Sequence, residues 1–177
     1  MRSPKTCREK LDLETFHEEA DVITVQQMAR LAQSGVRSIS VVSDDTDVFV
    51  PLMHCYADLH LTCNLTMKAT GNDRTVIDIA ETAKEHSGMI VANLLAMHCL
   101  SGCDTVAVVQ LFEIGKGSGL KTLKAGDSLN KLGYLHIRLA EVISEATLFM
   151  AQCYGSKKEV MSDVRVELWA KKMSKNV

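Results

Sequence analysis

Two acidic motifs stand out in this chain, and the side chains of the first lie close enough in sequence to repel one another. The first is Asp44, Asp45 and Asp47, which follow the apolar run at residues 38–42. The second is Asp104, in a Gly-Cys-Asp sequence at the end of a long helical pattern. Hard divalent cations take oxygen ligands in proteins. The spacing therefore predicts a divalent-metal site, with a solvated acidic loop as the alternative explanation.

A third acidic group and a glycine-rich basic segment add to these clusters. Glu18, Glu19 and Asp21 open a predicted helix over residues 17–34, where negative charge suits the helix dipole. Residues 114–121 contain three glycines within five positions. Glycine lets a backbone approach a phosphate closely, and nearby lysines add positive charge. We predict a phosphate-contacting turn here, with a flexible loop as the alternative; its candidate residues are Gly115, Lys116, Gly117, Lys121 and Lys124.

Length and composition limit the kind of protein that these residues serve. The chain has 177 residues, of which 46% are hydrophobic and 24% charged, as in an ordinary globular domain. Its net charge of -2 gives no global basic field for nucleic acid, so any such contact needs a local patch. The six cysteines lack paired spacing, which indicates reduced thiols and an intracellular, nuclear or cytoplasmic location. No apolar run is long enough to predict a membrane span.

The elements that must position these residues alternate between helix and strand. Residues 38–42 and 59–67 predict strands, and residues 48–53 predict either a strand or the first turn of a helix. Helices are predicted over 75–86, 89–100, 135–152 and 158–173. Alternating strands and helices favour an α/β fold with a mostly parallel central sheet, whose ligands collect at the carboxyl ends of strands. We expect a polar tail at 1–15 and one domain at 16–177, with an α/β part to 105 and a helical part after it.

Taken in order, these motifs resemble those of the PIN-like, flap-endonuclease (XPG-type) nuclease family. The match is carried by the sequences His-Glu-Glu-Ala-Asp at 17–21, Val-Ser-Asp-Asp-Thr-Asp-Val at 42–48 and Leu-Ser-Gly-Cys-Asp-Thr at 100–105. The match covers residues 16–125. The chain resembles uncharacterised PIN-like proteins of animal genomes above all. The resemblance implies a three-layer arrangement, followed by a helical part with a helix–hairpin–helix-like turn.

The resemblance also implies an activity and a set of residues that perform it. Members of the family hydrolyse nucleic-acid phosphodiesters with one or two Mg²⁺ or Mn²⁺ ions held by carboxylates. Glu19, Asp45, Asp47 and Asp104 match the family's catalytic carboxylates, and Glu18 is the register alternative to Glu19 as a metal ligand. The glycine-rich turn matches the segment that grips a nucleic-acid backbone. The implied partner is nucleic acid, DNA in preference to RNA, with no membrane.

The sequence departs from the family pattern at two places. Residues 1–16 contain no apolar run that could form the family's N-terminal strand with its Asp, so we expect that strand and ligand to be missing. Glu113 stands where the turn usually begins with glycine. These departures leave open a truncated or inactive nuclease, or a non-catalytic PIN-like module that binds nucleic acid or protein. A third hypothesis is a phosphatase-like hydrolase with Asp45 as its nucleophile.

Overall fold

The chain forms an α/β structure of seven helices and three strands over the residues that the computed structural model describes, 19–71, 75–102 and 115–174. All three strands lie before residue 79, and the described elements after them are helical. The elements, in chain order, are α1 (Ala20–Gln33), β1 (Ser38–Val42), α2 (Thr46–Asp58), β2 (Asn64–Lys68), β3 (Val76–Asp78), α3 (Ile79–Glu85), α4 (Gly88–Ser101), α5 (Lys116–Lys124), α6 (Leu139–Cys153) and α7 (Met161–Ser174). The predicted tail at 1–15 lies outside the described residues.

The sheet is mixed, which corrects the expectation of a mostly parallel sheet. Its order is β1-β2-β3, with β1 and β2 parallel and β2 and β3 antiparallel. Helix α2 provides the crossover between the two parallel strands. The link from Lys68 to Val76 is too short for such a crossover, which takes a dozen or more residues, so the chain reverses there.

Several predicted boundaries change for physical reasons. The alternating pattern at 59–67 begins too early, because His60 has a positive φ of 48° just after α2 and only residues from Asn64 pair with β1. Residues 76–78, predicted as helix, pair with β2 instead. The described part of the predicted glycine-rich turn is mostly helical, since Gly117 and Gly119 lie inside α5 and Gly115 precedes its first turn.

Helix α2 resolves the ambiguity over residues 48–53 in favour of a helix. Asp45 caps its start, and its side chain accepts a hydrogen bond from the backbone amide of Asp47. Pro51 lies inside the helix, where it removes one backbone donor without ending the helix. Leu52 and Met53 are almost fully buried in the core. The cap and the burial together hold a proline-containing segment helical.

The core lies between the sheet and helices α1 to α5. The alternating residues Ile39 and Val41 of β1, and Leu65 and Met67 of β2, are buried. Helix α4 is apolar around most of its circumference and packs against both α2 and α5. These contacts fix the ends of α2, α4 and α5 relative to one another.

Two further properties concern the described residues as a group. No helix in the described ranges is both long enough and apolar enough to cross a membrane. The cysteines that fall in these ranges, Cys55, Cys63, Cys99 and Cys153, form no disulfide bond.

Candidate functional site

Asp47 is the centre of the candidate site, because two side chains from distant parts of the sequence contact it. It lies in the first turn of α2, just beyond the carboxyl end of β1, and its side chain is 11% exposed. The Nε2 atom of His98 lies 3.1 Å from Asp47 Oδ1, and the Nζ atom of Lys116 lies 3.2 Å from the same oxygen. The site therefore joins the starts of α2 and α5 to the end of α4.

His98 is a buried member of this group. Its side chain is 3% exposed. Burial, followed by the positive charge of Lys116, lowers the pKa of His98, although Asp47 and Asp45 act in the opposite direction. The lowered pKa favours the neutral imidazole at pH 7, and in that form Nε2 must carry the hydrogen for the ring to donate to Asp47. Its other nitrogen, Nδ1, is buried and has no hydrogen-bond partner within the described part of the chain.

Lys116 brings positive charge to the start of α2. Its ammonium donates hydrogen bonds to Thr46 Oγ1 at 2.9 Å and to Asp47 Oδ1 at 3.2 Å, and its side chain is 38% exposed. Lys121 and Lys124 lie exposed in the last turn of the same helix. The rise of an α-helix places them roughly 8 and 12 Å farther along the axis. Of the basic residues predicted in this segment, Lys116 is the one that the structure brings to Asp47.

The other two aspartates of the first cluster have local partners. The carboxylate of Asp45 accepts the amide hydrogen of Asp47 at 2.8 Å. Both carboxylate oxygens of Asp44 face Thr70, accepting from its backbone amide at 3.0 and 3.1 Å and from its hydroxyl. Asp44 thus links the end of β1 to the segment that follows β2.

The predicted carboxylates line two different pockets. Glu19, at the start of α1, lines a pocket of about 300 Å³ together with Asp47 and His98. Asp45 lines a different pocket of about 430 Å³ with Asp44. Glu19 and Asp47 therefore line one pocket, and Asp45 lines another.

The remaining predicted ligands, Glu18 and Asp104, lie outside the described residues. Within the described ranges, no group of three or more His, Cys, Asp or Glu side chains is arranged to hold a metal ion. Gly102, the first residue of the Gly-Cys-Asp sequence, lies within the described residues and is buried. Its φ of 94° is a backbone conformation that favours glycine. Gly102 ends α4 one turn after His98.

Sequence reasoning missed two features of this site. The contact between His98 and Asp47 was not foreseen. Sequence reasoning placed Lys116 in a phosphate-contacting turn, whereas here the lysine pairs with a carboxylate. The sequence offered one clue to both residues, which is their position. His98 lies just before the Gly-Cys-Asp sequence, and Lys116 lies in the glycine-rich segment. Comparison with known proteins adds no further assignment, since no family model, curated protein or solved structure matches this chain.

Proposed function

We propose that this chain is a metal-dependent nuclease-like domain of the PIN-like, flap-endonuclease type, which hydrolyses nucleic-acid phosphodiesters. The observation that carries the proposal is the pocket shared by Glu19 and Asp47. Asp47 lies beyond the carboxyl end of β1, which is where ligands collect in open α/β sheets. Asp21 lines the same pocket, and three carboxylates at this position suit a hard cation better than a structural ion pair.

The donor set of this pocket is chemically suited to Mg²⁺ or Mn²⁺. Mg²⁺ keeps several waters and uses one or two protein carboxylates together with substrate phosphates. Glu19 and Asp47 would supply that pair, and in this proposal Glu18, Asp45 and Asp104 are the further carboxylates. When bound, such an ion stabilises negative charge on a phosphate and lowers the pKa of a coordinated water.

The neighbours of Asp47 have distinct tasks under this proposal. His98 is a positioning residue, because its Nε2–H donates to Asp47 Oδ1 and so fixes the orientation of the carboxylate. Lys116 balances the charge of Asp47 and is exposed enough to contact a phosphate as well. Lys121 and Lys124 extend this positive surface along α5 toward the nucleic-acid backbone.

Cleavage assays with matched variants test the proposal. Labelled single-stranded DNA, flapped duplex DNA and RNA are incubated with the chain and Mn²⁺, with EDTA added in parallel. We expect Mn²⁺-dependent cleavage that Asp47→Asn abolishes. Asp163→Asn, an exposed aspartate at the start of α7, is the matched control and should cleave like the wild type. No cleavage of any substrate, or full activity in Asp47→Asn, would refute the hydrolase.

A second candidate function is a non-catalytic module that binds nucleic acid. The observation in its favour is the ion pair between Lys116 and Asp47, because a lysine already neutralises that carboxylate without a metal ion. Such a module binds nucleic acid equally well with EDTA present, and Lys116→Ala weakens that binding. Mn²⁺-dependent cleavage that Asp47→Asn abolishes would exclude it in favour of the hydrolase.

A further inference from the structure

A single groove runs between α2 and α4, starting at the candidate site. The residues of α2 that line it occupy one helical face: Asp47, Pro51, His54 and Asp58. On α4, Leu95 and Cys99 line both the pocket beside Asp47 and a larger pocket of about 720 Å³ beyond it. The two pockets are therefore parts of one groove. The helical rise from residue 47 to residue 58 gives it a length of roughly 16 Å.

The far wall of this α2–α4 groove is the loop at residues 129–136, and buried hydrogen bonds hold that loop in place. Asn93, which is 2% exposed, accepts from the Leu129 amide at 2.6 Å and donates to Asn130 Oδ1 at 3.0 Å. The Lys131 amide donates to Glu145 Oε2 at 2.7 Å. The loop is thus anchored to α4 on one side and to α6 on the other, so its side chains are presented in a defined place.

This loop presents two aromatic rings to the groove. Tyr134 and His136 both line it and meet edge to face, with ring centroids 5.8 Å apart and an interplanar angle of 62°. Tyr134 remains 57% exposed. An exposed aromatic ring on a fixed loop is a platform on which a nucleobase can stack, and stacking of this kind accepts any base.

The polar residues of the groove suit the edge of a base, and its outer rim suits a phosphate backbone. A carboxylate such as Asp58 can accept hydrogen bonds from the amino groups of bases, and the Asn130 amide can both donate and accept. Lys131 and Arg138 flank the loop with side chains that are 42% and 83% exposed, and both pair with Glu141. A double helix hides the base faces and edges that these groups would contact.

We propose that the α2–α4 groove binds unpaired nucleotides of single-stranded nucleic acid. One base stacks on the Tyr134–His136 pair, and the strand runs along the groove toward Asp47. The inference rests on the proposed function, because it names the form of substrate that reaches the candidate site. It needs no metal ion, so it can be tested separately from hydrolysis.

Fluorescence anisotropy with a labelled single-stranded oligothymidine, in low salt with EDTA, tests the groove directly. Loss of stacking on one base weakens binding about five- to 150-fold, so we expect Tyr134→Ala to raise the dissociation constant within that range. Tyr134→Phe keeps the ring and should bind like the wild type. Leu135→Ala is the matched control, because Leu135 is fully exposed between the two rings and should leave binding unchanged.

Three outcomes would overturn the groove assignment. The first is equal binding by Tyr134→Ala and Leu135→Ala. The second is equal affinity for a blunt duplex of matched length. The third is displacement of the oligonucleotide by an arginine-rich peptide whose own binding depends on Tyr134, which would make the groove a peptide site.

The two proposals fail in distinguishable ways. Binding through Tyr134 without any metal-dependent cleavage would refute the hydrolase and retain the groove. Cleavage of single strands that Tyr134→Ala leaves unchanged would refute the groove and retain the hydrolase.

Discussion

The Nε2 atom of His98 lies 3.1 Å from Oδ1 of Asp47, and this contact fastens the end of α4 to the start of α2. Both side chains are largely buried, and the surroundings of the imidazole favour its neutral form. A carboxylate that is buried next to a hydrogen-bond donor keeps one orientation. The pair therefore gives Asp47 a fixed direction before any ligand arrives.

Removal of the His98 donor should destabilise the fold. A hydrogen bond to a charged group contributes about 1.5–3 kcal/mol, and the buried Asp47 carboxylate would lose this partner. We expect His98→Ala to lower the free energy of unfolding by at least that amount, measured by urea denaturation. His98→Gln keeps an N–H donor and should recover part of the loss. Equal stability of the wild type and His98→Ala would contradict the contact.

The same histidine predicts a pH dependence of stability. Because the pKa of His98 is lowered in the folded chain, the unfolded chain binds the proton more readily as the pH falls. The stabilisation that neutral His98 contributes is complete above the ordinary histidine pKa of about 6.5. It is lost as the pH falls from there through the lowered pKa that His98 has in the folded chain. The difference in unfolding free energy between the wild type and His98→Gln should therefore shrink between about pH 7.5 and pH 5 in metal-free buffer. A constant difference would show that His98 does not titrate in this way.

Asp44 should affect stability without affecting metal binding. Its carboxylate accepts from the backbone amide and the hydroxyl of Thr70, which links the end of β1 to the segment that follows β2. We expect Asp44→Ala to lower the free energy of unfolding by about 0.5–1.5 kcal/mol, because the site is exposed to water. Thr70→Val removes the hydroxyl donor alone and should cost less. Loss of Mn²⁺ binding in Asp44→Ala would place Asp44 among the ligands and contradict this assignment.

The packing of α5 on α4 predicts different effects of alanine at two glycines of one helix. An added Cβ at Gly119 would lie 2.6 Å from Sδ of Met97, a buried core residue, whereas one at Gly117 meets nothing within 4 Å. Alanine is favoured over glycine in a helix by up to about 1 kcal/mol, but overpacking a core costs about 1–3 kcal/mol. The midpoint temperature of thermal unfolding should therefore be higher for Gly117→Ala than for the wild type. It should be lower for Gly119→Ala than for Gly117→Ala. Equal gains in both variants would show that Met97 moves aside freely.

Much of the fold could be predicted from local patterns. The predicted helices at 17–34 and 89–100 and the predicted strand at 38–42 match α1, α4 and β1 to within a few residues. The pairing of β3 with β2 could not be predicted, because it depends on a chain reversal and on contacts between strands. The helical state of the glycine-rich segment also depended on tertiary packing, since Gly119 fits against Met97 and Leu123 is fully buried.

The candidate site was foreseen in part. Sequence reasoning singled out Glu19 and Asp47, which line one pocket, but it also grouped Asp45 with them. Spacing alone could not show that the carboxylate of Asp45 also caps α2. The contacts of His98 and Lys116 with Asp47 join residues far apart in the sequence, so they required the packing of α2, α4 and α5.

Calorimetric titration of Mn²⁺ tests most directly whether Asp47 belongs to a carboxylate metal site. The titration compares the wild type with Asp47→Asn and with the control Asp163→Asn, after circular dichroism has shown that all three are folded. Removal of a ligand leaves the remaining carboxylates with a weaker site, so we predict Mn²⁺ binding in the wild type and in Asp163→Asn and at least about tenfold weaker binding in Asp47→Asn. No binding in the folded wild type, or equal affinity in Asp47→Asn, would contradict the account.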